Sequence, residues 1–333
     1  MNAASIPSRL SLVADLSLLG VAAIWGSTFV MVKDAVAQYP VLPFLALRFA
    51  LAALALVPAA WLGRRAFRAS DLPAGMAAGA FLFAGYALQT FGLQQTEASK
   101  AGFITGLSVV LVPLFVAVLW RKLPSTQALA GTVLATAGLG LLSLNADWSV
   151  GRGDLLVLGC AVGFAAHITA LGVLSPGRDP RILTLVQVAT VAALSGALVV
   201  RQGALPAMPT PVLGAAVFTG LAATALAFLV QTTAQRFTTA SHTALIFTAE
   251  PVFAAIFGVL VAGEQLPLRG WLGCAAILGG VVLGTLSQPA GCDRETRGSG
   301  GCEPSPPLRV EEGSLFTENA KRVLLSRRSP RSR

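Results

Sequence analysis

The feature that most constrains this chain is a succession of ten apolar runs, at 12–32, 41–62, 72–93, 99–120, 126–145, 154–174, 181–200, 211–234, 241–262 and 268–288. Most are about 20 residues long, the length a helix needs to cross roughly 30 Å of hydrocarbon at about 1.5 Å per residue. Lipid offers backbone groups no partner, so each run must satisfy its own N–H and C=O groups, and the α-helix does so within one segment. Barrel strands would show segments of about ten residues with alternating polarity, and that alternation is absent. The expectation is an all-α polytopic membrane protein with ten transmembrane helices. Charge agrees: Asp, Glu, Lys and Arg make up 12% of the chain, about half the share of an ordinary soluble domain, so residues 12–288 cannot cover a surface facing water.

The net charge of +9 reads as membrane topology rather than as a nucleic-acid footprint. With the N-terminus inside, the inner loops carry Arg9, Arg64, Arg65, Arg68, Arg121, Lys122, Arg178, Arg181 and Arg236; the outer loops carry Lys33, Lys100, Arg152, Arg201 and Arg269. That excess places residues 1–11 and the C-terminal segment in the cytoplasm. The run after Arg9 continues to about Val32, so it reads as a retained first span rather than a signal peptide. Residues 289–333 are rich in Gly, Ser, Pro, Arg and Glu and too poor in large apolar residues to fold alone, which predicts a disordered basic tail.

The sequence repeats. Asp15-Leu-Ser-Leu-Leu-Gly20 returns as Asp154-Leu-Leu-Val-Leu-Gly159, an offset of 139. Gln89-Thr90 with Thr96, Ala98 and Ser99 returns as Gln231-Thr232 with Thr238, Ala240 and Ser241, an offset of 142 shared by Gly131/Gly273 and Gly138/Gly280. The unit holds five spans, an odd number, so the second copy enters from the opposite side. The chain therefore divides into two inverted five-helix repeats, 12–145 and 154–288. Inverted repeats are a transporter signature, because two such halves can open a central site first to one face and then to the other.

Several residues also resemble a known family. Trp25-Gly-Ser-Thr-Phe29, Arg48-Phe49, Ala101-Gly-Phe-Ile-Thr-Gly-Leu107 through Pro113, and Glu250-Pro-Val-Phe253 followed by Gly263-Glu264 are similar, in that order, to the EamA family of the drug/metabolite transporter superfamily. The resemblance spans about 12–288. It implies a ten-helix inverted-repeat fold in the bacterial inner membrane, both termini cytoplasmic, and transport of small metabolites such as amino acids or related compounds, often outward. One departure is that Gly263-Glu264 in the second half faces Arg121-Lys122 at the matching place in the first.

Polar groups in lipid need a reason. Glu250 precedes Pro251, which removes a backbone donor and kinks a helix; the carboxyl there is either a site for a proton or substrate amine, or a structural hydrogen-bonding group. His167, aligned with Thr28 by the repeat, is a titratable group or a bond across a packing interface. Arg48, aligned with Gln187, is expected to snorkel to the outer interface, the alternatives being a substrate anion or Glu250. Gln89, Thr90, Gln231 and Thr232 occupy symmetric positions that suit either a cavity lining or interhelical bonds. Trp25 lies too deep for an interfacial belt and either lines a cavity or fills the core. Pro113 and Pro251 are hinge candidates giving the fourth and ninth spans matching irregularities. Small-xxx-small pairs (Gly75/Gly79, Gly102/Gly106, Gly159/Gly163, Gly280/Gly284) favour close helix packing, and Gly280/Gly284 leaves a homodimer open.

No Walker A pattern is present, which argues for secondary rather than ATP-driven transport, and no HExxH or GxSxG pattern points to an enzyme. Cys160 and Cys274 lie in apolar runs, Cys292 and Cys302 in the tail, without metal-ligand spacing, so neither metal nor cofactor is expected. The implied partners are a small-molecule substrate, the lipid bilayer and a coupling proton. The competing reading is a membrane-embedded sensor or scaffold that signals through its basic tail.

Overall fold

The computed structural model describes residues 9–62, 67–120, 125–143, 150–201, 205–262 and 265–285. The tail, the Gly263-Glu264 pair and the basic residues Arg64, Arg65, Arg121 and Lys122 lie outside the described residues. Among the described residues the chain is helical throughout, with no strand. Eight helical stretches are long and apolar enough to cross a membrane, and Thr126–Leu142 and Leu268–Gly284 form two shorter apolar helices.

Several spans are interrupted. The first is two helices, α1 (Arg9–Gly26) and α2 (Phe29–Gln38), so it runs past the expected end at 32 and breaks at Ser27–Thr28. There the Ser27 hydroxyl donates to Ile24 O at 2.7 Å and the Thr28 hydroxyl to Trp25 O at 2.8 Å, competing with the backbone ladder. The second and third spans are continuous, α3 (Val41–Trp61) and α4 (Asp71–Leu93). The fourth is split into α5 (Ala98–Gly106) and α6 (Ser108–Trp120) at Leu107. Helix α7 (Thr126–Ser143) closes the first half.

The second half opens with α8 (Arg152–Leu174), which passes His167 unbroken where α1 breaks, and α9 (Pro180–Val200) follows. The next span is α10 (Thr210–Gly220), a π-helical stretch Leu221–Leu226 and α11 (Ala227–Ala234). The ninth splits into α12 (Ala240–Phe247) and α13 (Glu250–Ala262), and α14 (Leu268–Thr285) ends the described part. The breaks at Leu107 and at Thr248–Ala249 match under the 142-residue offset. Pro251 stands in the first turn of α13, where its missing N–H is tolerated, but Pro113 lies six residues beyond its break, inside α6. The two prolines are therefore not equivalent, and the matching irregularity sits elsewhere than on Pro113.

The halves interlock. Helices α3 and α9 pack together, as do α4 with α8 and α9, α1 with α11 and α13, and α6 with α8. The closing helices α7 and α14 cross antiparallel through the repeated glycines. A Cβ on Gly131 would lie 2.6 Å from Gly280 O, and one on Gly138 would lie 2.7 Å from Gly273 O. The Gly280/Gly284 face is thus turned to α7, and a Cβ on Gly284 would also meet Leu245 of α12; these glycines serve packing within the chain.

The two ends are marked by charge. Beside α4's start, Asp71 takes the Arg68 N–H at 3.2 Å and lies 3.5 Å from Arg178 Nε. Beyond α4's finish, roughly 33 Å away along the helix, Lys33 donates to Thr96 O at 3.2 Å and Lys100 pairs with Asp154 at 2.7 Å.

Candidate functional site

A cavity lies where the broken spans meet. Its wall includes Trp25, Thr28, Arg48, Tyr86, Gln89, Ser108, Phe164, His167, Phe228, Gln231, Phe247, Glu250 and Pro251. Both halves contribute, and the lining includes repeat-related residues from each: Gln89 and Gln231, Tyr86 and Phe228, Trp25 and Phe164, Ser108 and Glu250. The split fourth and ninth spans bring Ser108 and Glu250 to the wall at the first residues of α6 and α13. Gly26 lets α1 reach that point, since a Cβ there would lie 2.6 Å from Glu250 O.

Arg48 does not snorkel. It is 3% exposed, with Nε donating to the Thr224 hydroxyl at 2.9 Å and Nη2 to the Tyr86 hydroxyl at 3.3 Å. Its guanidinium carbon lies 4.7 Å from the Tyr86 ring centroid, close enough for a cation–π contribution. The π stretch on the neighbouring span makes this possible: its wider turn presents Thr224 to Arg48, and Gly220, where a Cβ would sit 2.8 Å from Arg48 O, allows the backbones to touch. The same stretch takes the Trp25 indole N–H on Ala223 O at 2.8 Å. π turns displace carbonyls from the regular ladder and recur at functional sites. Trp25→Phe removes this donor and should lower stability by about 1 kcal/mol, read as a drop in the unfolding midpoint of detergent-solubilised protein; an unchanged midpoint would show that the bond contributes nothing net.

Aromatic rings form one continuous wall. Trp25 stands 4.9 Å from Phe247 and 5.5 Å from Phe228, and Tyr86 stands 5.2 Å from Phe164 and 6.0 Å from Phe228, centroid to centroid. On this wall His167 is fully engaged on one nitrogen: Nε2 lies 2.7 Å from Gln187 Oε1, and Gln187 Nε2 donates to the Thr232 hydroxyl at 3.0 Å. With its amide so oriented, Gln187 offers His167 an acceptor, so Nε2 carries the hydrogen.

The remaining candidates divide. Gln89 reaches the cavity and donates to the Thr105 hydroxyl at 3.3 Å, and Gln231 donates to Gln235 Oε1 at 3.1 Å while its own Oε1 is a buried acceptor without a partner. Thr90 and Thr232 are buried off the wall: Thr90 bonds back to Tyr86 O at 2.6 Å, and Thr232 accepts from Gln187. Adjacent helix positions lie about 100° apart, so the wall takes the glutamines and leaves the threonines to helix packing. Among the described residues Glu250 and Arg48 form no ion pair with each other, so the cavity offers one carboxyl and one guanidinium not neutralised by one another, the guanidinium held in place by Thr224 and Tyr86. Tyr86, Phe164, Phe228, Phe247 and Thr224 were not singled out in the sequence, although the repeat offsets join Tyr86 to Phe228 and Trp25 to Phe164.

Apolar helices from two repeats, enclosing a polar and aromatic cavity between them, define a polytopic membrane transporter. The chain belongs to the EamA-like transporter family, which matches residues 12–144 and 151–286. It is 33% identical over 275 residues to an uncharacterized transporter of Archaeoglobus fulgidus, covering 83% of this chain and 86% of that protein. It is 29% identical over 166 residues to the uncharacterized transporter YwfM of Bacillus subtilis, covering 49% of this chain and 56% of the relative. A protein of known crystal structure shares the fold, with TM-score 0.71 and 19% identity over 82% of this chain and 98% of the other. As a member of this family the protein is a membrane transporter, not an enzyme, and it works on a small-molecule substrate from within the lipid bilayer.

Proposed function

We propose that the protein is a secondary transporter that exports amino acids or closely related metabolites by alternating access across a bacterial inner membrane. In this reading ten spans form two inverted repeats, 12–145 and 154–288. Residues 1–11 and a basic tail, 289–333, lie in the cytoplasm, and a proton couples at Glu250. The observation that carries the substrate class is that Glu250 and Arg48 line one aromatic-walled cavity without forming an ion pair with each other. A zwitterion satisfies both: its ammonium meets the Glu250 carboxylate, its carboxylate meets the Arg48 guanidinium in charge-assisted bonds, and an apolar side chain lies on Trp25, Phe228 and Phe247. Thr28, Gln89, Gln231 and His167 supply the surrounding polar contacts.

Proteoliposomes loaded with a mixed pool of amino acids, amines and neutral metabolites test this. Selective release of zwitterions, stimulated by an opposing pH gradient, supports the reading. Selective release of simple amines or sugars overturns the substrate class, and release indifferent to the gradient overturns the coupling.

A further inference from the structure

Two carboxylate–base contacts outside the cavity are related by the repeat. Asp15 of α1 lies 2.9 Å from His242 Nε2 of α12, and Asp154 of α8 lies 2.7 Å from Lys100 Nζ of α5. Asp15 and Asp154 differ by the same 139 residues that relate the first spans, and Lys100 and His242 by the same 142 that relate the fourth and ninth. In each pair the carboxylate belongs to the opening span of one repeat and the nitrogen base to the split span of the other. This is one contact built twice, and each copy bridges the halves.

The copies stand at opposite ends. Asp154 shares its end with Lys33 and Thr96, whose hydroxyl donates to it at 2.6 Å. Asp15 precedes Lys33 by 18 residues along α1 and α2, roughly 27 Å of helix. All four helices go on to line the cavity. Trp25 and Phe164 each lie ten residues beyond their aspartate, and Thr105 and Phe247 each lie five beyond the base. A path from the cavity to either end between these helices opens the seam that one of these pairs crosses.

We infer that Asp15–His242 and Asp154–Lys100 are the two end latches of the transporter, one broken and the other kept in each open state. The inference rests on the alternating-access reading. A polar pair suits this role better than apolar packing. In each pair one member is buried and the other partly exposed, with side chains 18% and 4% exposed for Asp15 and His242, and 6% and 25% for Asp154 and Lys100. When the seam parts, water can replace each lost partner, so the closed and open states stay near in free energy and a solute can shift their balance. The latches differ chemically. The Asp154 carboxylate also takes the Gly151 N–H at 2.8 Å and sits against a lysine ammonium, whereas Asp15 sits against an imidazole.

The test reads sidedness rather than flux. A cysteine placed at Ser108, on the cavity wall, in a chain with its own four cysteines replaced, is labelled by a membrane-impermeant maleimide applied to one face or the other of oriented vesicles. Asp154→Asn should raise labelling from the Asp154 face several-fold and lower it from the opposite face, and Asp15→Asn should do the reverse. Exchanging the charges, Asp154→Lys with Lys100→Asp, should restore the wild-type ratio; this variant keeps the test sound if a single substitution folds poorly. Wild type labelled from each face, with ratios unmoved by every variant, overturns the latches and leaves alternating access standing. Labelling confined to one and the same face in wild type and all variants overturns both.

Discussion

Glu250→Gln protein reconstituted in liposomes should release its substrate about ten- to a hundredfold more slowly than wild type, matching the loss of one charge-assisted contact of roughly 1.5–3 kcal/mol. The amide keeps the size and shape of the carboxyl, so packing is preserved. The close approach of α1 at Gly26 involves the Glu250 backbone oxygen, not its side chain, and no ion pair within the described chain depends on the carboxylate. The unfolding midpoint should therefore stay at the wild-type value while flux falls. If the carboxyl carries the coupling proton, the remaining flux should also lose its response to a pH gradient. Ser108→Ala, at the repeat-related position, changes neither charge nor coupling and should leave the gradient response intact. Wild-type flux in Glu250→Gln would return this residue to a structural role and remove the main support for a zwitterionic substrate.

The largest effect on stability should come from the crossing of α7 and α14. Gly138→Leu places a Cβ 2.7 Å from both Gly273 O and Ile277 N, and backbone atoms cannot swing aside as a flexible side chain can. The two helices must separate along a contact that repeats at Gly131 and Gly280, so the cost should exceed the usual overpacking penalty of about 1–3 kcal/mol. The expected result is loss of the monodisperse species on size-exclusion chromatography in detergent. Gly102→Ala is the matched control: a Cβ at Gly102 meets nothing within 4 Å, and this variant should elute as wild type. Similar elution of both variants would mean that the α7–α14 crossing yields at little cost.

The same glycines show what is readable in advance. The 142-residue offset that exposes Gly131/Gly273 and Gly138/Gly280 is a property of the chain, but that each meets its neighbour's counterpart, Gly131 on Gly280 and Gly138 on Gly273, is a property of the antiparallel crossing. Arg48 makes the point more sharply. An arginine in an apolar run carries no sign of whether it reaches water or turns inward, and snorkelling is the ordinary outcome. Here the π stretch on one span brings Thr224 to its Nε and α4 brings Tyr86 to its guanidinium, partners 176 and 38 residues away. The same limit applies to Thr90 and Thr232, which the repeat pairs correctly but whose side chains point off the wall.

The sequence by itself determined a membrane-spanning helical chain, because run length and lack of charge leave lipid and the α-helix as the only solvent and the only backbone solution. It also determined a duplicated architecture and the membership of Trp25, Arg48, His167, Gln89, Gln231 and Glu250 among residues that need a reason to be in lipid. Only the tertiary structure decided where the helices break, which of those side chains share a cavity, and that Asp15–His242 repeats Asp154–Lys100 at the other end. Helix formation is dictated within each segment, whereas a cavity and a latch exist only in contacts between segments far apart in the chain.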